Sequence, residues 1–124
     1  MTQWAIEDGN ISEANGTATN ILSGLAKAWV KFDGTGTPAI DDSFNIASLT
    51  DVGTGEFQLD FTSGMSASTY CGVSDATTDT NTVAGTISNI SQYNADNFTV
   101  IVSNSGASSR DRDTNTASIH GDLA

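Results

Sequence analysis

Cysteine is almost absent from this 124-residue chain, and long hydrophobic runs are absent altogether. The single thiol, Cys71, cannot form an internal disulfide, and one cysteine cannot build a cysteine-based metal site. No apolar run approaches the length that spans a bilayer, and the opening MTQWAIEDGN has neither the basic start nor the apolar stretch of a signal peptide. We therefore expect a protein that is made in the cytoplasm and does not contact a membrane, with Cys71 as a small core residue.

Basic residues are also scarce. Four Lys and Arg residues stand against 15 Asp and Glu residues, which gives a net charge of −11. Binding to DNA or RNA needs clustered Lys and Arg that neutralise phosphates, and binding to an anionic membrane surface needs a similar basic cluster. The balance argues against both kinds of partner and predicts a soluble, acidic surface.

Histidine occurs once, as His120. Catalysis by a histidine needs a nucleophile and an orienting acid, and the serines of this chain lie in ordinary loops and strands without a nucleophile-elbow motif. Four carboxylates could in principle supply a glycosidase pair: Asp41, Asp42, Glu56 and Asp60. Asp60, however, alternates away from the apolar face of its strand, as an exposed residue would. We expect no enzymatic activity, and a structural position for His120 in the last strand or at a subunit contact.

Proline occurs once, and charged residues make up only 15 % of the chain, whereas disordered chains are usually rich in both. Hydrophobic residues make up 37 %, which allows one domain of this length a modest core. Much of the remainder is Thr, Ser, Asn and Gly. Such a composition, with spaced aromatic and β-branched residues, is typical of short strands joined by polar loops.

Apolar residues recur at every second position from residue 26 onward, which is the period of a β-strand. Ala28, Val30 and Phe32, for example, alternate with polar neighbours. Seven short strands are predicted, near residues 26–32, 40–48, 56–62, 68–75, 83–89, 97–104 and 115–121. Their spacing predicts an all-β fold, a single antiparallel, jelly-roll-like β-sandwich over residues 26–124. Residues 1–25 are predicted to be an extended N-terminal arm, or an extra edge strand, that orders against a partner.

The stretch FDGTGTPAI imitates a dinucleotide-binding loop, because Gly34, Gly36 and Ala39 have the spacing G-x-G-x-x-A. Such a loop must open a helix whose N-terminal amides hold the phosphates. Here Pro38 is followed by the strand predicted over 40–48, and no crossover helix is available. The stretch is therefore predicted to be a turn between two strands, with glycines that supply positive φ angles.

The run AKAWVKFDGTGTPAIDDSFNIASLTDVGTGEFQLDFTSGM resembles a β-domain that recurs in tail-fibre and other virion proteins of tailed bacteriophages. In that family an A-K-A-W-V strand leads into F-x-G-T-G-T. A Ser-Phe-Asn strand, S-x-T-D-x-G-T-G, an aromatic strand ending in F-T and a methionine follow. The residues that carry the likeness are 26–30, 32–37, 43–45, 48–55, 57–62 and Met65. A looser likeness continues through TYCGV and DTNTASIHGD to about residue 122. Pro38 stands where the family has a strand residue, which suggests an edge position.

The resemblance implies a structural protein of the virion, a homotrimer made in the host cytoplasm, with no catalytic chemistry and no cofactor. A tail fibre needs a shaft and an attachment domain, whereas this chain holds an arm and one domain. We therefore favour a capsid decoration or cement protein, or a head-fibre knob, anchored by its arm to the major capsid protein or another virion protein. The alternative is a tail-fibre tip that binds host-surface glycan through loops 75–82 and 105–114. Tyr93 is the one aromatic residue expected in a loop.

Five residues are candidates for a subunit interface: Trp4, Ile6, Lys27, Trp29 and Lys31. The first two lie in the predicted arm. Trp29 lies between two lysines on the polar side of its strand, and aromatic residues are enriched at interfaces. Two other positions stay open for Trp29, namely the second face of a sandwich core or a ligand-stacking site.

Residues 111–115 read DRDTN and imitate the start of a calcium loop, because oxygen ligands at alternate positions suit a hard cation. Asp122 even falls at the twelfth position. Thr116, however, stands where the loop needs a glycine, and no glutamate closes the site. We predict a solvated loop here, and no metal.

Overall fold

The computed structural model describes residues 4–7, 10–13, 19–78 and 85–124, with side chains described over 20–78 and 85–124. Two four-stranded antiparallel sheets pack against each other, so the prediction of an all-β sandwich is confirmed. The eight strands of the sandwich are β4 (Ala28–Asp33), β5 (Ala39–Phe44), β6 (Ile46–Gly53), β7 (Glu56–Phe61), β8 (Cys71–Thr77), β9 (Thr86–Tyr93), β10 (Asn97–Asn104) and β11 (Thr114–His120).

Each sheet contains strands that are far apart in the sequence. The front sheet has the order β5-β4-β11-β8, and the back sheet has the order β6-β7-β10-β9. In the front sheet the first strand of the sandwich, β4, lies beside the last, β11, with Val30 opposite Ala117. Every pair of neighbours in the two sheets is antiparallel.

The core lies between the sheets because alternate side chains of each strand point inward. On β4 the side chains predicted to point inward, Ala28, Val30 and Phe32, are fully buried. On β7 the inward side chains, Phe57 and the residues at every second position after it, are also buried. Phe32 and Phe57 meet edge to face across the sandwich, with ring centroids 5.2 Å apart. The remaining buried apolar side chains are Leu59, Phe61, Met65, Tyr70, Ala76, Phe98, Val100, Val102, Ala117 and Ile119.

Asn45 corrects the prediction of one strand over 40–48. Its φ of 59° breaks the chain into two strands that belong to different sheets. The side chain fixes this corner, because Nδ2 donates to the carbonyls of Lys27 (3.0 Å) and Ser63 (2.9 Å) while Oδ1 accepts from the Ser63 amide (2.7 Å). As a result Phe44 and Ile46, which continue one alternation in the sequence, do not share a face. Phe44 is exposed on the front sheet, whereas Ile46 packs against the core.

The stretch FDGTGTPAI is the turn between β4 and β5, as predicted. The Asp33 carboxylate accepts hydrogen bonds from the Thr35 amide (2.7 Å) and hydroxyl (2.6 Å), and Gly36 has a φ of 61°. The bonds from Thr35 lower the pKa of Asp33 below its usual value. Pro38 directly precedes β5, which is an edge strand, in agreement with the prediction.

The N-terminal segment forms a small antiparallel sheet of its own. Its strands are β1 (Trp4–Glu7), β2 (Asn10–Glu13) and β3 (Thr19–Asn20). This arrangement differs from a single extended arm and from an extra edge strand on the sandwich. The function of residues 1–25 as an anchor stays a prediction.

A single helical turn, α1 (Ile21–Gly24), follows β3 directly. The Asn20 side chain caps it by accepting a hydrogen bond from the Leu22 amide at 2.8 Å. Within the part of the chain that the structure describes, no helix has the length and apolarity to cross a bilayer.

Candidate interaction surface

The outward side of the front sheet, here called the front face, carries a row with large apolar side chains on three of its four strands and Ser118 on the fourth. Register places Phe44 opposite Trp29, Trp29 opposite Ser118, and Ser118 opposite Val73. Directly opposed side chains of neighbouring strands have Cβ atoms about 4.5–5.5 Å apart, so the row is continuous. Its large members are exposed, with Phe44 at 52 %, Trp29 at 39 % and Val73 at 69 %.

Trp29 reaches this surface by the same alternation that builds the core. Its neighbours Ala28 and Val30 point inward and are buried, so Trp29 points outward. Since the back sheet packs on the other side of β4, the front face is the outer surface of the sandwich. This excludes the alternative that Trp29 lies on the second face of the core, and leaves a subunit interface or ligand stacking.

A second row on the front face is charged and polar. Lys31 lies opposite Asp42 and Thr116, and Thr116 lies opposite Asp75. The Lys31 ammonium is 3.5 Å from the carboxylate of Asp41, and both side chains are about half exposed. An exposed pair of this kind contributes little to stability, on the order of 0–1 kcal/mol.

Lys27 is the other lysine of the chain and flanks Trp29 on the opposite side. Its ammonium donates to the carbonyls of Leu22 and Leu25, the latter at 2.9 Å. These bonds hold the end of α1 against the start of β4. Both acceptors are neutral backbone groups.

A shallow depression of about 230 Å³ lies beside Trp29's row, between β8 and β11. It is lined by Val73, Ser74, Asp75, Thr116, Ala117 and Ser118. The depression therefore continues the apolar row at the Val73 end, so the front face has both projecting aromatic rings and a recess.

The outward side of the back sheet, the back face, is different in chemistry. One row across its four strands consists of Thr50, Gln58, Thr99 and Gln92. Beside it, Asp60 accepts hydrogen bonds from Ser48 (2.6 Å) and Gln58 (2.9 Å). The aromatic row is thus a property of the front face. The row across the back face is polar, although Thr99 itself is buried and the exposed Ile87 lies on the same sheet.

Of the five predicted interface residues, Lys27, Trp29 and Lys31 lie together on the front face. Trp4 and Ile6 lie in β1, but their side chains are outside the described residues. Phe44 and Val73 were missed by the sequence prediction. In the one strand predicted over 40–48, the two-residue period puts Phe44 on the same side as Ile46. Val73 comes beside Ser118, and so into line with Trp29, only through the pairing of β8 with β11.

The prediction that Cys71 is a core residue is wrong. Cys71 is exposed on the edge strand β8, opposite His120 in register. The inward positions of β8 are held by small residues such as Gly72, where an added Cβ would come within 2.7 Å of Ile119 Cδ1. The alternation therefore places Cys71 outside. His120 lies in the last strand, as predicted.

The prediction that Tyr93 lies in a loop is also wrong. It ends β9 and packs against the core, with its ring centroid 5.1 Å from that of Tyr70. The Tyr70 hydroxyl donates to the carbonyls of Asn94 (2.9 Å) and Asn97 (3.0 Å), and burial raises the pKa of Tyr70 to about 12. The loop predicted over 75–82 begins later than expected, because β8 continues to Thr77. Residues 79–82 of that loop lie outside the described residues.

The four carboxylates weighed as a catalytic set are divided between the sheets. Asp41 and Asp42 lie on β5, whereas Glu56 and Asp60 lie on β7. Within the described residues, no group of three or more His, Cys, Asp and Glu side chains could hold a metal ion.

In the calcium-like stretch at 111–115, two side chains form hydrogen bonds with backbone groups. The Asp111 carboxylate accepts a hydrogen bond from the Gly55 amide at 2.7 Å. Asn115 is fully buried, and its Nδ2 donates to the carbonyls of Phe32 (3.2 Å) and Arg112 (2.7 Å). These bonds fasten the loop before β11 to both sheets.

Comparison of the chain with protein-family models, with curated proteins and with solved structures finds no match. The resemblance to a phage β-domain therefore stands on the sequence motifs alone.

Proposed function

We propose that this protein is a structural component of a tailed-bacteriophage virion, in which copies of the chain assemble as a homotrimer on the capsid. It would act as a decoration or cement protein, or as the knob of a head fibre, and not as an enzyme. The motif run over residues 26–65 supports the virion assignment, and the all-β sandwich is a fold that suits it.

The observation that carries the assembly proposal is the apolar row Phe44–Trp29–Val73 on the front face. Two exposed aromatic rings in line with an exposed valine cross a whole sheet. Ser118 separates Val73 from Trp29, so the contiguous part is the aromatic pair, and exposed apolar surface of this kind marks interaction sites on proteins. Trp and Phe are also enriched at the centres of interfaces, where a few such residues supply most of the binding energy.

Charge sets a condition on a second copy of the chain as the occupant of the front face. A net charge of −11 makes two copies repel each other over most of their surfaces. Both lysines, Lys27 and Lys31, flank Trp29 on the front face. The same face also carries Asp41, which is paired with Lys31, and the carboxylates of Asp42 and Asp75, so the lysines reduce the repulsion between acidic copies and do not reverse it.

Counting the copies per particle tests the virion assignment. Purified virions would be analysed by quantitative mass spectrometry against isotope-labelled standard peptides, with the major capsid protein as the internal reference. We expect hundreds of copies, as capsid decoration requires. About a dozen copies would contradict the capsid location, and absence from purified virions would contradict the virion assignment.

One observation favours the second candidate, a receptor-binding tip that recognises host-surface glycan. Trp29 and Phe44 are cross-strand neighbours with exposed rings, and flat aromatic surfaces stack on the apolar faces of sugars. A glycan array decides between the two. Saturable binding that is lost in Trp29→Thr but kept in the control Ile87→Thr would favour the tip, and no binding would leave the assembly proposal in place.

A further inference from the structure

The edge strands of the sandwich differ in charge. β5 carries Asp41 and Asp42, β6 carries Asp51, and β8 carries Asp75, whereas the β9 sequence TISNISQY has no charged residue. Charged residues on an edge strand discourage it from pairing with another chain. Among the edge strands of the sandwich that the structure describes, β9 alone lacks them.

The direction of the backbone groups of β9 follows from its partner strand β10. The Val102 amide donates to the Gly55 carbonyl at 2.7 Å, and the Val102 carbonyl accepts from the Arg110 amide at 3.0 Å. Both groups of Val102 therefore point away from β9. Directly opposed residues of an antiparallel pair either bond to each other or both point away. Ser88 lies opposite Val102, so its N–H and C=O groups point away from β10, toward the open edge of β9.

The regular part of β9 repeats this direction at every second residue. Thr86 and Ile90 lie two positions before and after Ser88, in the same register with β10. Thr86, Ser88 and Ile90 therefore present their N–H and C=O groups at the open edge. No strand in the described part of the chain pairs with that edge. β8 is the neighbour on that side, and its contact there is a side-chain bond, from the Ser88 hydroxyl to the Ser74 hydroxyl at 2.9 Å.

A second copy of the chain fits this edge because the edge is complementary to itself. About a twofold axis at Ser88, an antiparallel copy of β9 places Ser88 opposite Ser88 and Thr86 opposite Ile90, so each open-edge donor meets an acceptor. A self-paired strand also brings each charged residue close to its own copy, and like charges destabilise such a pair. Self-pairing of β5, β6 or β8 would bring carboxylates together in this way, whereas self-pairing of β9 would not.

We infer that β9 pairs with β9 of a second copy and joins two four-stranded back sheets into one continuous sheet. On the outer side of that sheet, the exposed Ile87 of each copy lies opposite Asn89 of the other. The front face takes no part. The contact therefore goes beyond the proposed homotrimer, since a twofold contact links copies that belong to different trimers. A short edge pair is weak, so it forms at about millimolar concentration or where copies lie side by side on a particle.

Cysteines at positions 87 and 89 test the pairing and its register. In a Cys71→Ser background, Ile87→Cys and Asn89→Cys proteins are mixed at about 1 mM and oxidised with oxidised glutathione. Covalent dimers are then measured on a non-reducing denaturing gel. The pairing brings position 87 of one copy and position 89 of the other to a Cα separation of about 4.5 Å, which a disulfide can bridge. The mixture should therefore form dimers at least about tenfold faster than either protein alone.

The control is Thr50→Cys in the same background, because Thr50 is exposed on β6 at the other edge of the back sheet. It should form dimers only by random collision. A mixture that reacts no faster than Thr50→Cys would overturn the pairing. Fast dimer formation by Ile87→Cys alone or by Asn89→Cys alone would overturn the register.

A matched pair of substitutions at Ser88 tests the backbone hydrogen bonds. Ser88→Pro, added to both cysteine proteins, removes an N–H that points to the open edge, and edge strands accept proline at such positions. We expect circular dichroism to show a folded protein and the mixed dimers to fall to the rate of Thr50→Cys. Ser88→Ala loses the hydroxyl but keeps the N–H, so it should keep the fast rate. An unchanged rate in a folded Ser88→Pro protein would contradict pairing through this edge.

Discussion

At the scale of single residues, polar side chains hold the corners and turns of the sandwich in place. Asn45 joins the start of β4 to the segment after β7 through three hydrogen bonds, and it does so at a positive φ that favours Gly or Asn. Tyr70 closes the turn at residues 94–97 in a similar way. Polar residues such as Asn thus fix the connections between strands as well as covering the surface.

Substitutions at Asn45 separate the hydrogen bonds from the backbone conformation. Asn45→Gly keeps the positive φ and removes three bonds, so we expect a loss of about 1–3 kcal/mol in the free energy of unfolding. Asn45→Ala removes the same bonds and adds strain of about 1 kcal/mol. Urea unfolding measures both. Equal stability of Asn45→Gly and the wild type would contradict the role given to the side chain.

Tyr70 predicts how stability depends on alkaline pH. Burial raises the pKa of Tyr70 in the folded protein to about 12, from the ordinary tyrosine value of 10.0 that holds when the chain is unfolded. Between these values the unfolded state loses the phenolic proton and the folded state keeps it. The stabilisation is therefore complete below pH 10 and is lost as the pH rises toward 12.

We expect urea midpoints of the wild type to fall over the range from pH 10 to 12 more steeply than those of Tyr70→Phe. The variant lacks the titrating group and also loses the two hydroxyl hydrogen bonds, at a cost of about 1 kcal/mol at neutral pH. Parallel pH profiles for the two proteins would contradict the assignment to Tyr70.

At the scale of strands, the sequence predicted the core well and the surface poorly. Period-two alternation is local, so the inward sets on β4 and β7 could be found without knowing any partner strand. The corner at Asn45 could not, because the apolar spacing continues through it. The row on the front face depends on registers between β4, β5, β8 and β11, which lie far apart in the sequence, and on a bulge between Lys31 and Phe32.

The hairpin of β6 and β7 offers a matched pair of glycine substitutions. Gly55→Ala would place a Cβ against the Val102 carbonyl and the Arg110 amide at a φ of 67°, so we expect a loss of about 2–4 kcal/mol. Gly53→Ala meets nothing within 4 Å and needs no positive φ, so its effect should stay within about 0.5 kcal/mol. Thermal unfolding compares the two, and similar midpoints would contradict the tight enclosure of Gly55.

At the scale of the whole molecule, the two outer faces of the sandwich divide the surface chemistry. The back face combines hydroxyl, amide and carboxylate groups with the exposed Ile87. The front face holds both lysines and the carboxylates of Asp41, Asp42 and Asp75 around a row with two aromatic rings. The exposed rings of Trp29 and Phe44 make the front face the surface that we propose for contact with another copy of the chain. Solubility and assembly can then coexist, because the remaining surface repels.

The most direct test of this account is the mass in solution of the wild type and of a front-face variant, measured by light scattering over micromolar concentrations. We predict about three times the chain mass of 12.8 kDa for the wild type. Trp29→Thr/Phe44→Thr should have the mass of a single chain, since loss of a central aromatic residue weakens association about 30-fold or more. The control Ile87→Thr on the back sheet should stay trimeric. A wild type of 12.8 kDa at every concentration, or a front-face variant as trimeric as the wild type, would contradict the account.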